Sequence, residues 1–516
     1  MTQTPDEFFE LSAHLTALLD SDPVKAVRQA RQIGLGTSER FNCTNLRAAV
    51  LVDGGVLTHQ QDAIEEGLSL FRELYGLFQN ADITYNLGNA LVAVTGNPPR
   101  DSTWLDHQER TREQRGEARR LYWKVAQDLG ANPSLRTQAW TNLANQFTNS
   151  YRLGEAHDSR LAALEIDPDN GVAASSAARD LLWLYGLGGC SDLTRVEAIM
   201  LAKIAQRHEH RVNQYAGAYA AKQIAAFVNE LDDPPPRSLH TDPFVRWVER
   251  ERLTLAPVVE LVDPALGKLD WLMLPGIMER ESSAGATPPP VFAMFNVLKA
   301  DYILARDLAW RALDESVWPT TGRFADTLDY ADYGPDASAL VLSHRTALDL
   351  LDKVAVTANH YFEIGRRPKK VYFGNLWRGG PDKTTGLCPL LGVVETAIRT
   401  GANALYGLVE LADDYDNEAG ILRPQKNLRN AGTHRFVVLH GLGDPANSRQ
   451  TPEVEHHHRE QFAQEVLRAL RVARSAIQML ALAILQHERS LTRRAVGALV
   501  VPDHDWIRGS GGDGLR

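Results

Sequence analysis

The sequence predicts an all-α protein: a run of helical hairpins, then an antiparallel bundle of long helices. Three observations carry that expectation. Pairs of amphipathic segments recur from about residue 23 to residue 231. Longer apolar stripes with helical spacing fill residues 291–484. Two proline-rich breaks, Asp232-Asp233-Pro234-Pro235-Pro236 and residues 282–290, lie between these regions, and neither can continue a helix. The expected units are hairpin repeats over 1–231, a connector over 232–290, a bundle over 291–490 and a flexible tail over 491–516.

Within the first unit, residues 41–54 pair with 61–75, and 170–186 with 193–207. The clearest hairpin joins 135–149 to 154–165 and ends in Asp167-Pro168-Asp169-Asn170. Tyr85-Asn86-Leu87-Gly88-Asn89-Ala90 resembles Thr141-Asn142-Leu143-Ala144-Asn145-Gln146, and each opens a helix followed by a second amphipathic helix. A small residue at a helix crossing, followed by a proline-bearing turn, is similar to a tetratricopeptide repeat of ~34 residues. The polar insert 97–115 accounts for the wider spacing of the two copies.

The connector carries Phe244-Val245-Arg246-Trp247 and is expected to pack between its neighbours without chemistry of its own. In the bundle, Val291, Phe295, Leu298, Tyr302, Ala305, Ala309 and Ala312 step by four and three, as one helical stripe does. Residues 340–362 repeat the pattern through Leu348, Leu351, Ala355 and Ala358. A third helix is expected over 394–412 and a last over 462–484. Four such helices imply an antiparallel bundle. Residues 370–373 read as a short extended interruption.

A chain of 516 residues, 44% hydrophobic and 23% charged, can bury a large core. Its net charge of −10 argues against a general nucleic-acid coat but leaves room for a local basic groove. Cys43, Cys190 and Cys388 match no zinc spacing. No charged-then-apolar leader and no apolar run of spanning length is evident, so a cytoplasmic protein without membrane contact is expected.

One segment carries chemistry. Leu428-Arg429-Asn430-Ala431-Gly432-Thr433-His434-Arg435 places an Arg, an amide and a His within one and a half turns, and no acidic residue occurs from Ile421 to His440. A His can move a proton near neutral pH, an Arg can hold a phosphate, and an Asn four residues earlier lies on the same helical face as the His. That equipment suits RNA cleavage without a metal. Arg366, Arg367, Lys369, Lys370, Arg378 and Lys383, with Tyr372, Phe373 and Trp377 among them, fit single-stranded RNA. They fit a solvated loop with core aromatics equally well. Arg435 is a further phosphate contact, while the spacing from Arg435 to His440 reads as one buried helix face. His456-His457-His458 is expected at the start of the last helix, where adjacent side chains diverge, so no metal and no cofactor are expected. The glycine-rich stretch 379–386 lacks the order of a phosphate loop. Asp413, Asp414 and Asp416 either pair with the motif arginines or form a polar loop.

An all-α bundle with Arg-Asn-x3-His before its last helix resembles the HEPN superfamily. Ala358-Asn359-His360-Tyr361-Phe362 and Val371-Tyr372-Phe373-Gly374-Asn375-Leu376-Trp377 look like a large bacterial branch with tetratricopeptide-like repeats in front. The resemblance implies a homodimer through the bundle and metal-independent RNA cutting by the ribose 2′-hydroxyl, leaving a cyclic phosphate. It implies His434 as proton-transfer residue, Arg429 as phosphate clamp and Asn430 as positioner, in a stress or anti-phage effector with a protein partner on its repeats. The rival expectation is a non-catalytic scaffold that binds RNA or protein. Gly432 departs from the pattern and leads us to expect a loosened turn.

Overall fold

The computed structural model describes residues 5–33, 40–98, 101–187, 192–229, 241–256, 270, 272–277, 288–314, 318, 322–383, 386 and 388–491. The first proline break, most of the second, Cys190 and the tail beyond residue 491 lie outside the described residues.

Helices dominate. The first half holds α1 (Pro5–Ser21), α2 (Pro23–Arg31), α3 (Arg40–Thr58), α4 (Gln61–Leu77), α5 (Ala81–Thr95), α6 (Trp104–Arg110), α7 (Arg112–Gln127), α8 (Pro133–Asn149), α9 (Leu153–Ile166), α10 (Gly171–Leu187), α11 (Asp192–Arg207) and α12 (Glu209–Asn229). Consecutive helices pair as hairpins, α3 with α4, α5 with α7, α8 with α9 and α10 with α11, and each hairpin stacks on the next. Local chemistry starts them. Asn80 Oδ1 accepts from the Ile83 amide, Asn132 caps α8 ahead of Pro133, and Asn170 Oδ1 accepts from the Val172 and Ala173 amides. Gly88 lets α5 cross α7 closely, since a Cβ there would lie 2.8 Å from the Tyr122 ring. Inside the polar insert α6 forms, started by a capping box between Thr103 and Asp106.

The second half holds α13 (Pro243–Arg250), α14 (Pro290–Leu313), β1 (Ala331–Asp332), α15 (Pro335–Tyr361), α16 (Gly392–Arg399), α17 (Ala404–Asp416), α18 (Arg423–His434), β2 (Phe436–His440), β3 (Val454–His458) and α19 (Arg459–Leu491). Helices α14, α15, α17 and α19 pack as the bundle, and α18 lies against α15 and α17. The expected third helix is split, because the chain turns between α16 and α17 at Gly401, whose φ is 121°. By length and composition α19 could cross a bilayer, yet 83% of its most apolar window is buried, which makes it the central core helix.

Two expectations about the motif's neighbourhood need correction. The stretch from Arg435 to His440 is not a helix face, and His456-His457-His458 does not begin the last helix. Phe436–His440 and Val454–His458 are parallel strands, with β1 antiparallel on the other side of β2. β-Branched and aromatic residues in Phe436-Val437-Val438 favour the extended form, and the connection over 441–453 is long enough to bring β3 back parallel to β2.

Repeats and bundle share one apolar core in which Leu87, Tyr122, Leu143 and Phe147 join Trp247, Phe295, Leu351, Tyr406 and Ile477. The connector contributes to it. Tyr302 Oη donates to the Leu253 carbonyl at 3.0 Å, Arg306 holds Asp270, and Arg252 pairs with Asp158 of α9. A buried charge network also crosses the junction. Arg119 grips Asp414 through Nε and Nη2, each at 3.1 Å, and Glu410 at 3.0 Å. Arg152 reaches Asp414 at 2.5 Å and Glu155 at 2.6 Å, and Arg115 also pairs with Glu410. Burial alone would raise the Glu410 carboxyl, but Arg115, Arg119 and Arg152 outweigh it and hold it at about 2.

Candidate RNA-directed site

Three buried groups set the position of α18. Leu422 and Ala431 sit in the bundle, and Gln425, 1% exposed, bonds His344 of α15 at 2.7 Å and Glu465 of α19. Burial lowers His344 to about 4, so at neutral pH it is an uncharged partner for the amide. The helix runs unbroken through Gly432 to His434, which corrects the expected loosening, and a Cβ at Gly432 would meet only Val341 at 3.4 Å.

On this helix the motif residues take different roles. Arg429 Nε donates to Asp349 Oδ1 at 2.8 Å and Nη2 donates to Asp352 Oδ2 at 3.2 Å. Burial is the largest single influence and works against its charge, but the hydrogen bond and charge of Asp349, with Asp352 and Tyr415, together outweigh it and hold the guanidinium charged. Asn430 Oδ1 accepts from Arg429 Nη1 at 3.3 Å, so the amide orients the Arg and not, as expected, the His ring. His434 ends the helix, exposed, with no hydrogen-bond partner among the described residues. The sequence reading missed Asp349 and Asp352, which lie 80 and 77 residues before Arg429. Their spacing of three on one face of α15 was the available signal.

The basic segment adjoins this site through Asp352. One Asp352 oxygen accepts from Arg429 and the other accepts from the Phe373 amide at 2.8 Å. Burial pushes this carboxyl up, while the Phe373 amide and Arg429 oppose it. Arg366, Arg367, Lys369, Lys370 and Tyr372 are exposed. Phe373 and Trp377 are core residues, so the available stacking face is Tyr372 alone of the three aromatics. Arg378 does not belong with the RNA-facing set. Its guanidinium, 12% exposed, is bidentate to both Glu109 and Asp413 at 2.7–3.2 Å. Arg435 stays half-exposed and pairs with Glu455 at 2.5 Å. Asp413 and Asp414 pair with arginines outside the motif, and Asp416 pairs with Lys426.

A helical bundle with an Arg-Asn-x3-His helix laid across it defines the class of domain. Residues 282–487 match the LA2681-like HEPN family, and this match supports membership of that domain in the HEPN superfamily. No curated protein matches the chain. Membership associates the domain with RNA-related or nuclease function.

Proposed function

We propose that this HEPN domain is a metal-independent endoribonuclease. The observation that supports it most is an exposed His434, without a hydrogen-bond partner among the described residues, about one and a half turns beyond an anchored Arg429 and beside the exposed basic run 366–370. The ribose 2′-hydroxyl loses its proton and its oxygen bonds phosphorus. The P–O5′ bond then breaks and O5′ takes a proton, leaving a 2′,3′-cyclic phosphate and a 5′-hydroxyl. His434 transfers protons, Arg429 steadies the phosphate charge, and Asn430 orients Arg429. Proton removal and delivery occur on opposite sides of the bond, so a second motif from another copy of the chain completes the site.

One observation favours the non-catalytic RNA-binding alternative: Arg429 is already occupied by two carboxylates, which a phosphate must displace in part. Incubating the full chain with total RNA in strong chelator, beside His434→Ala, separates the readings. Cyclic-phosphate ends produced by the unmutated chain alone are the expected result. RNA binding without cleavage by either protein overturns the catalytic reading.

A further inference from the structure

The strand pairing that replaced the expected helix brings together three groups from distant parts of the chain. Side chains alternate along a strand, so His440 of β2 and His456 of β3 share one face, while His457 turns to the other with Glu455 and Phe462. His440 is buried, and its Nδ1 lies 3.0 Å from the Asp329 carbonyl. A carbonyl only accepts, so Nδ1 carries the proton and the Nε2 lone pair is presented to His456 Nδ1, 2.9 Å away. The Asp329 carboxylate completes the group, with one donor atom from each residue within 4.8 Å of the others. Leu328 and Tyr330 on either side of Asp329 both take φ of 58°, a costly conformation for bulky residues, while the Asp329 carbonyl meets His440. The Asp329 carboxylate also accepts from Thr327 Oγ1 at 2.5 Å, which fixes one of its oxygens.

We propose that Asp329, His440 and His456 form a site for a borderline divalent cation of the Zn²⁺ type, bound by His440 Nε2, His456 Nδ1 and one Asp329 oxygen. Two imidazoles and a carboxylate suit zinc and its first-row neighbours, and not magnesium or calcium. Around a tetrahedral ion with ligands at ~2.0–2.1 Å, donor atoms lie roughly 3.3 Å apart. The two rings therefore open by a few tenths of an ångström and the carboxylate swings inward. The bond from His440 Nδ1 to the Asp329 carbonyl is the outer contact that orients a ligating imidazole. An ion here clamps the loop preceding β1 onto β2. The strand from Arg435 to His440 spans about 16 Å, which makes the ion a structural clamp and not a party to chemistry at His434.

Zinc alone is the probe. Full-length protein, freed of metal by chelator, is titrated with Zn²⁺ by calorimetry, and Co²⁺ substitution is followed by visible absorption. One ion per chain is expected, with a rise in melting temperature on loading. His456→Gln and Asp329→Asn, both on partly exposed groups, should weaken binding at least about tenfold and abolish the cobalt spectrum. His457→Gln should change neither. Three results overturn the site: no stoichiometric uptake, unchanged affinity in both site variants, or equal loss in His457→Gln. The first would leave a neutral hydrogen bond from His456 Nδ1 to His440 Nε2 as the full account of the contact.

Discussion

Arg429→Ala and His434→Ala should part company in stability while converging in activity. The Arg429–Asp349 pair, with side chains 23% and 40% exposed, is screened by solvent and contributes about 0.5 kcal/mol. Asp352 is better covered at 31% exposed, and its carboxylate loses a charged partner while keeping the Phe373 amide, a loss of about 1 kcal/mol. Arg429→Ala therefore costs about 1–2 kcal/mol. His434, exposed and unbonded at a helix end, costs about 0.5 kcal/mol or less when truncated. If the bundle unfolds as a unit of its own size, those figures lower its transition by roughly 2–8 °C and under about 2 °C respectively. Scanning calorimetry reads this directly. At 25 °C, where both variants stay folded, each should cut RNA about 10²-fold more slowly than the unmutated chain. A His434→Ala transition lowered as much as that of Arg429→Ala would refute the description of the His as free, and with it the argument for its chemistry.

Lys369→Ala combined with Lys370→Ala should flatten the salt dependence of single-stranded RNA affinity by up to about 1.4 in log–log slope, whereas Arg378→Ala should cost stability and leave the slope alone. Light scattering should find a dimer at micromolar concentration, and a monomer that still cuts RNA would remove the need for a second motif. Acidification should destabilise the bundle from pH 6.5 downward. The unfolded state binds a proton at His344 that the folded state, with its value lowered to about 4, refuses, so roughly 3 kcal/mol is lost by pH 4. His344→Gln should flatten that limb in pH-dependent denaturation, and an unchanged limb would assign the acid loss elsewhere.

The hairpins were legible because they rest on local signals, paired 3.6-residue stripes and the turn at Asp167-Pro168-Asp169-Asn170. Pro133 after Asn132 and Asn170 after Pro168 mark helix starts without any knowledge of the fold. The motif triplet was legible for the same reason, since Arg429, Asn430 and His434 lie on one short helix. What failed was long-range or alternating. Phe436-Val437-Val438-Leu439-His440 has no helical breaker and fits either period until β3 pairs with it. Arg378 reads as a surface cation until Glu109, 269 residues earlier, is placed against it. Likewise, no pattern within 421–440 announces the carboxylates that α15 brings to Arg429.

The charged junction between α7, the start of α9 and α17 sets an order on biosynthesis. Arg119 and Asp414 are 295 residues apart in the chain, and Arg152 and Asp414 are 262 apart. At about 5–20 residues per second, roughly 15–60 s of translation separate the emergence of Arg119 from that of its carboxylates. Until then Arg115 and Arg119 lack their carboxylates and Arg152 has only Glu155, so closing that face early would bury the Arg115 and Arg119 charges without the carboxylates of α17. A chain cut short before α17 therefore yields unfinished repeats, and a bundle made alone exposes the matching carboxylates. Each half completes the other, so a chain built this way reaches its folded form only after α17 has been made.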